Sequence, residues 1–222
     1  MHSLQSESNM DSTFNIAQRL IYIKDMTGVL DFDAIHTEFD KLTYTQNIGN
    51  TISIDKLFFD KPNLNSSKKI LEKECEKYLN NTLNISDYYT NLRMTNSWGN
   101  ITKAGGEHHD HIHPFSIVSG IVFLDNNKDN FNLYVEGYMP QVPYFMTNSK
   151  SYVNIRNLFN DFNIVGDEHK NLQNHLILFL SNSHHFVEKT NANSPDRRTI
   201  SFNTFWTGST GLHSDSLGSI VF

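Results

Sequence analysis

From about Tyr88 onward the apolar residues recur with the two-residue period of β-strands, and this limits the fold more than any other feature of the chain. The strand-like segments are Leu92–Thr102, Phe115–Leu124, Phe131–Val135, Tyr152–Ile155, His175–Ser181 and Arg197–Trp206. Between them lie Gly105-Gly106, the run from Asp125 to Asn130, and the run from Asn191 to Asp196, all rich in residues that make turns. Short strands at this spacing predict a mainly β domain, a sandwich or a barrel. Ile117–Leu124 and Leu176–Leu180 are apolar on both faces, so they belong in the middle of the structure.

The first part of the chain reads differently. Residues 1–12 carry no apolar periodicity and predict a flexible tail. Arg19–Lys24 reads as a strand, and Asp31–Leu42 as an amphipathic helix with Phe32, Ile35, Phe39 and Leu42 spaced along it. A clearer helix begins at Ser66 or Ser67, either of which can cap it. Its stripe of Ile70, Leu71, Cys75, Tyr78 and Leu79 lies opposite Lys69, Glu72, Lys73 and Glu76. The expected organisation is one domain over residues 13–222, with a helical buttress over about 13–87 and a β core over about 88–222.

Aromatic residues make up 12% of the chain, with 16 Phe, which predicts a folded, aromatic-rich core. The formal charge of −6 gives no nucleic-acid signature. No apolar run approaches the roughly 18 residues of a membrane span, and Met1–Thr13 lacks the apolar stretch of a secretory signal. The expected address is cytoplasmic. With Cys75 the single cysteine, the chain has no internal disulfide to form, and that agrees with a reducing compartment.

The chemistry is concentrated in histidine. The segment from Gly105 to Pro114 holds His108, His109, His111 and His113 with Glu107 and Asp110, just ahead of a buried strand. Neutral imidazole and carboxylate are ligands for a divalent transition metal such as iron. On an extended backbone, alternation places His109, His111 and His113 on one face and His108, Asp110 and Ile112 on the other. Only one set can hold a central metal. A distant contribution comes from His184-His185 after the strand His175–Leu180, and Arg197-Arg198-Thr199 follows twelve residues beyond His185. A buried Arg there has a use, because its fork binds a carboxylate through two hydrogen bonds. Taken singly these are ordinary features: a solvated His-rich loop, a chance His pair, a surface Arg pair. Their order along the chain argues for a metal site.

This order resembles the 2-oxoglutarate and Fe(II)-dependent oxygenase superfamily, in particular a hydroxylase branch with Trp-x-Asn, a Gly-rich turn, His-x-His-Pro and then Ser-Gly before an apolar strand. The matching residues are Trp98-Gly99-Asn100, Gly105-Gly106, His111-Ile112-His113-Pro114 and Ser119-Gly120 leading into Ile121–Leu124. The distal half fits through Leu178–Ser181 leading to His185, and through Arg197-x-Thr199 leading into Ile200–Asn203. The resemblance spans about Leu92 to Trp206. It implies a double-stranded β-helix of jelly-roll or cupin-like type, Fe(II) as the metal, and 2-oxoglutarate and molecular oxygen as cosubstrates. Transferred by position, the metal ligands are His111, His113 and His185, and the cosubstrate is held by Arg197 with Thr199 beside it. Arg198 is the alternative clamp. The superfamily's usual triad contains a carboxylate, so His108 with Asp110 stands as an alternative pair. Where branch members often carry a Tyr pair, this chain has Val122-Phe123. The implied activity is a dioxygenase that hydroxylates a peptide or metabolite, with a prolyl-hydroxylase-like reaction suggested by the nearest family members.

The competing reading is a cupin-like metal or small-molecule binding protein without oxygenase activity, for which Arg197-x-Thr199 has no purpose. A third is a structural sandwich with incidental His, which leaves Arg197 at the surface. Residues 125–175 are the expected lid or substrate wall. Tyr134, Tyr138, Tyr144 and Trp206 are candidates for substrate contact or for core packing.

Overall fold

The computed structural model describes residues 21–82, 91–125, 133–136, 152–154, 172–209 and 219–220. The expected tail over 1–12, Tyr138, Tyr144 and most of the expected lid lie outside the described residues.

Among the described residues, eleven strands build two facing sheets. They are β1 (Tyr22–Asp25), β2 (Tyr44–Gln46), β3 (Thr51–Ser53), β4 (Leu92–Thr102), β5 (His108–His111), β6 (Val118–Phe123), β7 (Leu133–Glu136), β8 (Tyr152–Asn154), β9 (His175–Leu180), β10 (His185–Val187) and β11 (Arg197–Trp206). The larger sheet has seven strands in the order β1-β9-β6-β11-β4-β3-β2, and the smaller has four in the order β5-β10-β7-β8. Pairing within both is antiparallel. A further short pair joins Gly208–Ser209 to Ser219–Ile220.

The large sheet is covered on both sides, as the doubly apolar strands β6 and β9 require. One side packs on helices α1 (Phe32–Phe39) and α2 (Asn65–Lys77), through Val118, Val122, Leu176, Leu178, Ile200 and Phe202 from the sheet. Its other side meets the small sheet through Phe123, Ile177 and Phe179 against Leu133, Val135 and Val187. Alternation along β6 and β9 thus feeds two separate cores. Gly120 has no side chain because the Phe202 ring fills the space: a Cβ there would lie 2.1 Å from the ring.

The helices depart from expectation at their ends. Asp31 caps α1 by accepting from the Ala34 amide at 3.0 Å, but the helix stops at Phe39 instead of Leu42. Pro62–Leu64 forms a 3-10 turn that runs directly into α2, so Ser66 and Ser67 fall inside the first turn and do not cap it. Glu72, expected on the solvent face, is buried at 7% exposure and accepts from the Met94 amide at 2.8 Å. Glu74 is buried as well and collects Tyr22, Lys24 and Lys77. These carboxylates tie α2 to β4 and β1. The part before residue 88 is therefore more than a helical buttress, since β2 and β3 extend the large sheet beside β4.

One pairing positions everything that follows. β11 lies between β4 and β6, with Arg197 opposite Thr102, Thr199 opposite Asn100 and Phe123, Ser201 opposite Trp98 and Ile121, and Asn203 opposite Asn96 and Ser119. Directly opposed residues share a face, and this one faces the small sheet. Arg197, Thr199, Ser201 and Asn203 are all buried, at 5 to 8% exposure. The inter-sheet space is apolar at the β6–β9 end and polar along β11 and β4.

Candidate active site

The polar end of that space is where the histidines converge. β5 ends at His111, which sits opposite His185 of β10. The chain then turns, and the His113 amide donates to the Ser181 carbonyl at 2.9 Å, which fixes the bend that carries His113 back toward β11. His111, His113 and His185 thereby bring one ring nitrogen each into a group whose atoms all lie within 4.8 Å of one another. The Nε2 atoms of His111 and His113 stand 3.1 Å apart.

The other ring nitrogen of each is held by an acceptor. Nδ1 of His111 is 2.8 Å from the His109 carbonyl, and Nδ1 of His185 is 3.0 Å from the Ser183 carbonyl. Nδ1 of His113 is 2.5 Å from the Asn203 side-chain oxygen and 2.9 Å from the Ser119 hydroxyl. Ser119 gives its own hydrogen to Asn203 at 2.8 Å and also lies 2.7 Å from the Ser181 hydroxyl. An oxygen that only accepts needs a hydrogen on Nδ1, and a neutral imidazole has just one. The Nε2 lone pairs of His111, His113 and His185 are therefore left to point at each other. Burial reinforces the neutral form: it holds His111 below its ordinary value, His113 down to about 4, and His185 well below the usual range.

Strict alternation along β5 fails, and the reason is local. His185 faces His111 while Val187 faces His108, so four residues of β5 oppose three of β10. This bulge brings the His108 ring to 4.5 Å from that of His111. His108 is not part of the three-nitrogen group. Asp110 is turned toward solvent, where its carboxylate meets Nδ1 of His184 at 3.2 Å.

The two arginines diverge as their parity requires. Arg198 points to the helix side and is committed to Asp125, at 2.8 Å from Nη2 and 3.1 Å from Nε, with Asp40 at 3.3 Å from Nη1. Arg197 is turned into the inter-sheet space and donates from Nη2 to the Thr102 hydroxyl at 2.9 Å. Burial brings its guanidinium down to about 10. Arg197 and Thr199 line a narrow cavity of about 20 Å³, closed by Ile121 and Phe123, with room for one water-sized group and so for the end of a carboxylate.

A wider cavity of about 300 Å³ opens on the other side of His108, bounded by His109, His111, His113, Trp98, Asn96 and residues of the β2–β3 region. His108 lines both spaces. Sequence reasoning missed the contribution of β2 and β3. Asn50 reaches the narrow cavity, and Asn47, Ile52 and Lys56 reach the wide one. Trp98, singled out only for its motif, walls the wide cavity; of the named aromatic candidates, Tyr134 stacks on Phe186 at 4.7 Å and Trp206 packs against the helix-side core.

Among the described residues no helix is long and apolar enough to cross a membrane. Residues 96–203 match the family model described as "Putative 2OG-Fe(II) oxygenase". No curated protein matches the chain. Solved structures share its fold at low identity. The non-haem α-ketoglutarate-dependent epimerase SnoN from nogalamycin biosynthesis is 9% identical with a TM-score of 0.55, covering 92% of this chain and 85% of its own. HygX from Streptomyces hygroscopicus, solved with nickel and 2-oxoglutarate bound, is 8% identical with a TM-score of 0.52, covering 84% and 82%. A prolyl-4-hydroxylase from Pseudomonas putida is 11% identical with a TM-score of 0.51, covering 86% and 94%. The architecture they share with this chain is the double-stranded β-helix, here with helices packed on its outer face. The family matched over residues 96–203 and the shared fold together indicate a 2-oxoglutarate- and Fe(II)-dependent oxygenase, an oxidoreductase.

Proposed function

We propose that His111, His113 and His185 hold the iron, that Arg197 with Thr199 holds the far carboxylate of 2-oxoglutarate, and that the protein hydroxylates a C–H bond of its substrate. The observation that carries this is the 3.1 Å approach of two Nε2 atoms whose Nδ1 hydrogens are already committed. Two lone pairs facing each other repel, and a cation between them turns the repulsion into coordination. Ligand nitrogens about 2.1 Å from a metal and at right angles to each other are about 3 Å apart, which is the separation seen. Three protein ligands on one side leave positions for a chelating cosubstrate and for oxygen.

When bound, the iron would bring molecular oxygen and 2-oxoglutarate together, one oxygen atom going to succinate as 2-oxoglutarate loses carbon dioxide and the other to the substrate C–H bond. The chain's own residues do the rest. Arg197 and Thr199 fix one end of the cosubstrate, and the His108 ring borders its path toward the three histidines. Asn203 and Ser119 hold the His113 ring so that its lone pair faces the metal. The two packed sheets keep water from the floor of the site.

A prolyl-hydroxylase-like version of the reaction draws only on likeness of fold. We treat residues 13–222 as one oxygenase domain, supported by the core that α1 and α2 share with the large sheet. We assign it to the cytoplasm on its lone cysteine, Cys75, which is a buried free thiol.

The test is an anaerobic titration with Fe(II) and 2-oxoglutarate, following the weak visible charge-transfer band of the chelate. The expected result is a band in the wild type that needs a much higher 2-oxoglutarate concentration in Arg197→Ala. Stoichiometric metal binding without a band would overturn the cosubstrate assignment in favour of a metal-binding cupin-like protein.

A further inference from the structure

The wider cavity has chemistry that iron and 2-oxoglutarate do not use. Lys56 stands at its wall, half-buried, with its ammonium over the Trp98 ring at 5.8 Å. Its place is fixed by the backbone, since the Ser97 amide donates to the Lys56 carbonyl at 2.7 Å, and its Nζ donates to the Ser53 carbonyl at 2.8 Å. Lys24, Lys41, Lys61, Lys68, Lys77 and Lys103 each face a carboxylate. Lys56 makes no ion pair within 4 Å among the described residues and feels only the more distant charge of Asp55, although it has lost part of its hydration. The neighbouring Asp55 carboxylate is taken by Lys61 and the Leu57 amide.

The remaining wall is matched to the same kind of ligand. None of the described residues around the cavity is acidic. The side-chain oxygen of Asn96 and the Nδ1 of His109 are buried polar atoms without a hydrogen bond, and both residues line this space. Buried polar atoms are costly unless a partner satisfies them. Trp98 and Ile52 supply the apolar part. His111 and His113 form the inner end, so a molecule filling the cavity meets the three-histidine group.

We propose that this cavity takes the substrate and that the substrate is a small free carboxylic acid bearing an N–H donor, of the α-amino acid class. Its carboxylate pairs with Lys56, its amine donates to Asn96, and its carbon chain lies on Trp98 toward the metal. A volume of about 300 Å³ suits a molecule of that size. A carboxylate on a half-buried lysine over an aromatic ring is a charge-assisted bond that water does not fully screen. The inference rests on the assignment of iron to His111, His113 and His185.

The experiment loads the protein anaerobically with Fe(II) and 2-oxoglutarate. It then titrates each protein amino acid calorimetrically, once as the free acid and once as the carboxamide. At least one free acid is expected to bind saturably and at least tenfold more tightly than its carboxamide. Lys56→Met should bring that pair within twofold of each other, and Lys56→Arg should keep the preference. The charge-transfer band, recorded on the same samples, separates the failures. With the band present, equal binding of acid and carboxamide, no binding of either, or a preference that survives Lys56→Met each overturns the amino acid proposal alone. No band in the wild type overturns the metal and cosubstrate assignment and this proposal with it.

Discussion

Asn203 holds the His113 ring by its Nδ1 atom at 2.5 Å, from the strand that also begins with Arg197. A ligand ring oriented in this way loses little freedom when its lone pair is engaged. Asn203→Ala should therefore weaken metal binding by about 10- to 100-fold. Anaerobic calorimetry with Fe(II) measures this directly, and unchanged affinity would remove Asn203 from the site.

His185 and Asp110 make a sharper comparison, because Asp110 belongs only to the alternative pair with His108 whereas His185 is the distal ligand beside either pair. His185 is buried at 4% exposure and faces His111 and His113, whereas the Asp110 carboxylate meets His184 at the surface. His185→Ala should reduce metal affinity by at least a hundredfold, and Asp110→Ala should leave it within about twofold, the usual scale for a surface pair. A loss of affinity in Asp110→Ala as large as that in His185→Ala would transfer the near ligands to His108 and Asp110.

Asn50 enters the narrow cavity with its orientation set, since its side-chain oxygen accepts from Asn47 at 2.9 Å. Its Nδ2 is buried without a hydrogen bond. A donor there is placed to reach the same carboxylate as Arg197. Asn50→Asp replaces that donor with a charge that occupies the guanidinium itself. The expected effect is at least tenfold weaker 2-oxoglutarate binding with unchanged metal affinity, read from the charge-transfer titration.

Acid should destabilise the metal-free protein over a defined range. Burial holds His113 down to about 4 and His108 down to about 3, with His111 and His185 also lowered. The unfolded chain protonates these rings below about pH 6.5, where the folded one does not. It therefore binds more protons, and stability falls as pH drops from about 6.5 toward those lowered values. Urea midpoints of the metal-free protein across this range should decline steadily. A flat profile would mean that the rings are already charged in the fold.

The long strands were legible because their patterns are long. Leu92–Thr102 and Arg197–Trp206 end where their alternation ends. The histidines that converge were legible as a group because they flank strongly apolar strands. β2, β3 and β10 were not, since each is only three residues long and no periodicity can be read from Tyr-Thr-Gln or Thr-Ile-Ser. The bulge that brings His108 beside His111 depends on how β5 pairs with β10, about seventy-five residues later in the chain, and no local pattern encodes it. Asn50 and Lys56 were hidden for the same reason. Their meaning comes from the sheet edge that lays them against β4.

β11 is hydrogen-bonded along both edges, with Arg197 at its start and Asn203 six residues on, facing the same way. At about 3.3 Å per residue these positions are about 20 Å apart along a strand that has no free edge through which to stretch. The strand is a ruler. It sets the span between the guanidinium and the ring that Asn203 steers in covalent units, so neither the closing of a loop nor the swing of a side chain sets it. Two residues added within it would keep every side chain on its face and lengthen the ruler by about 7 Å, leaving both ends of the site chemically complete and out of reach of one molecule.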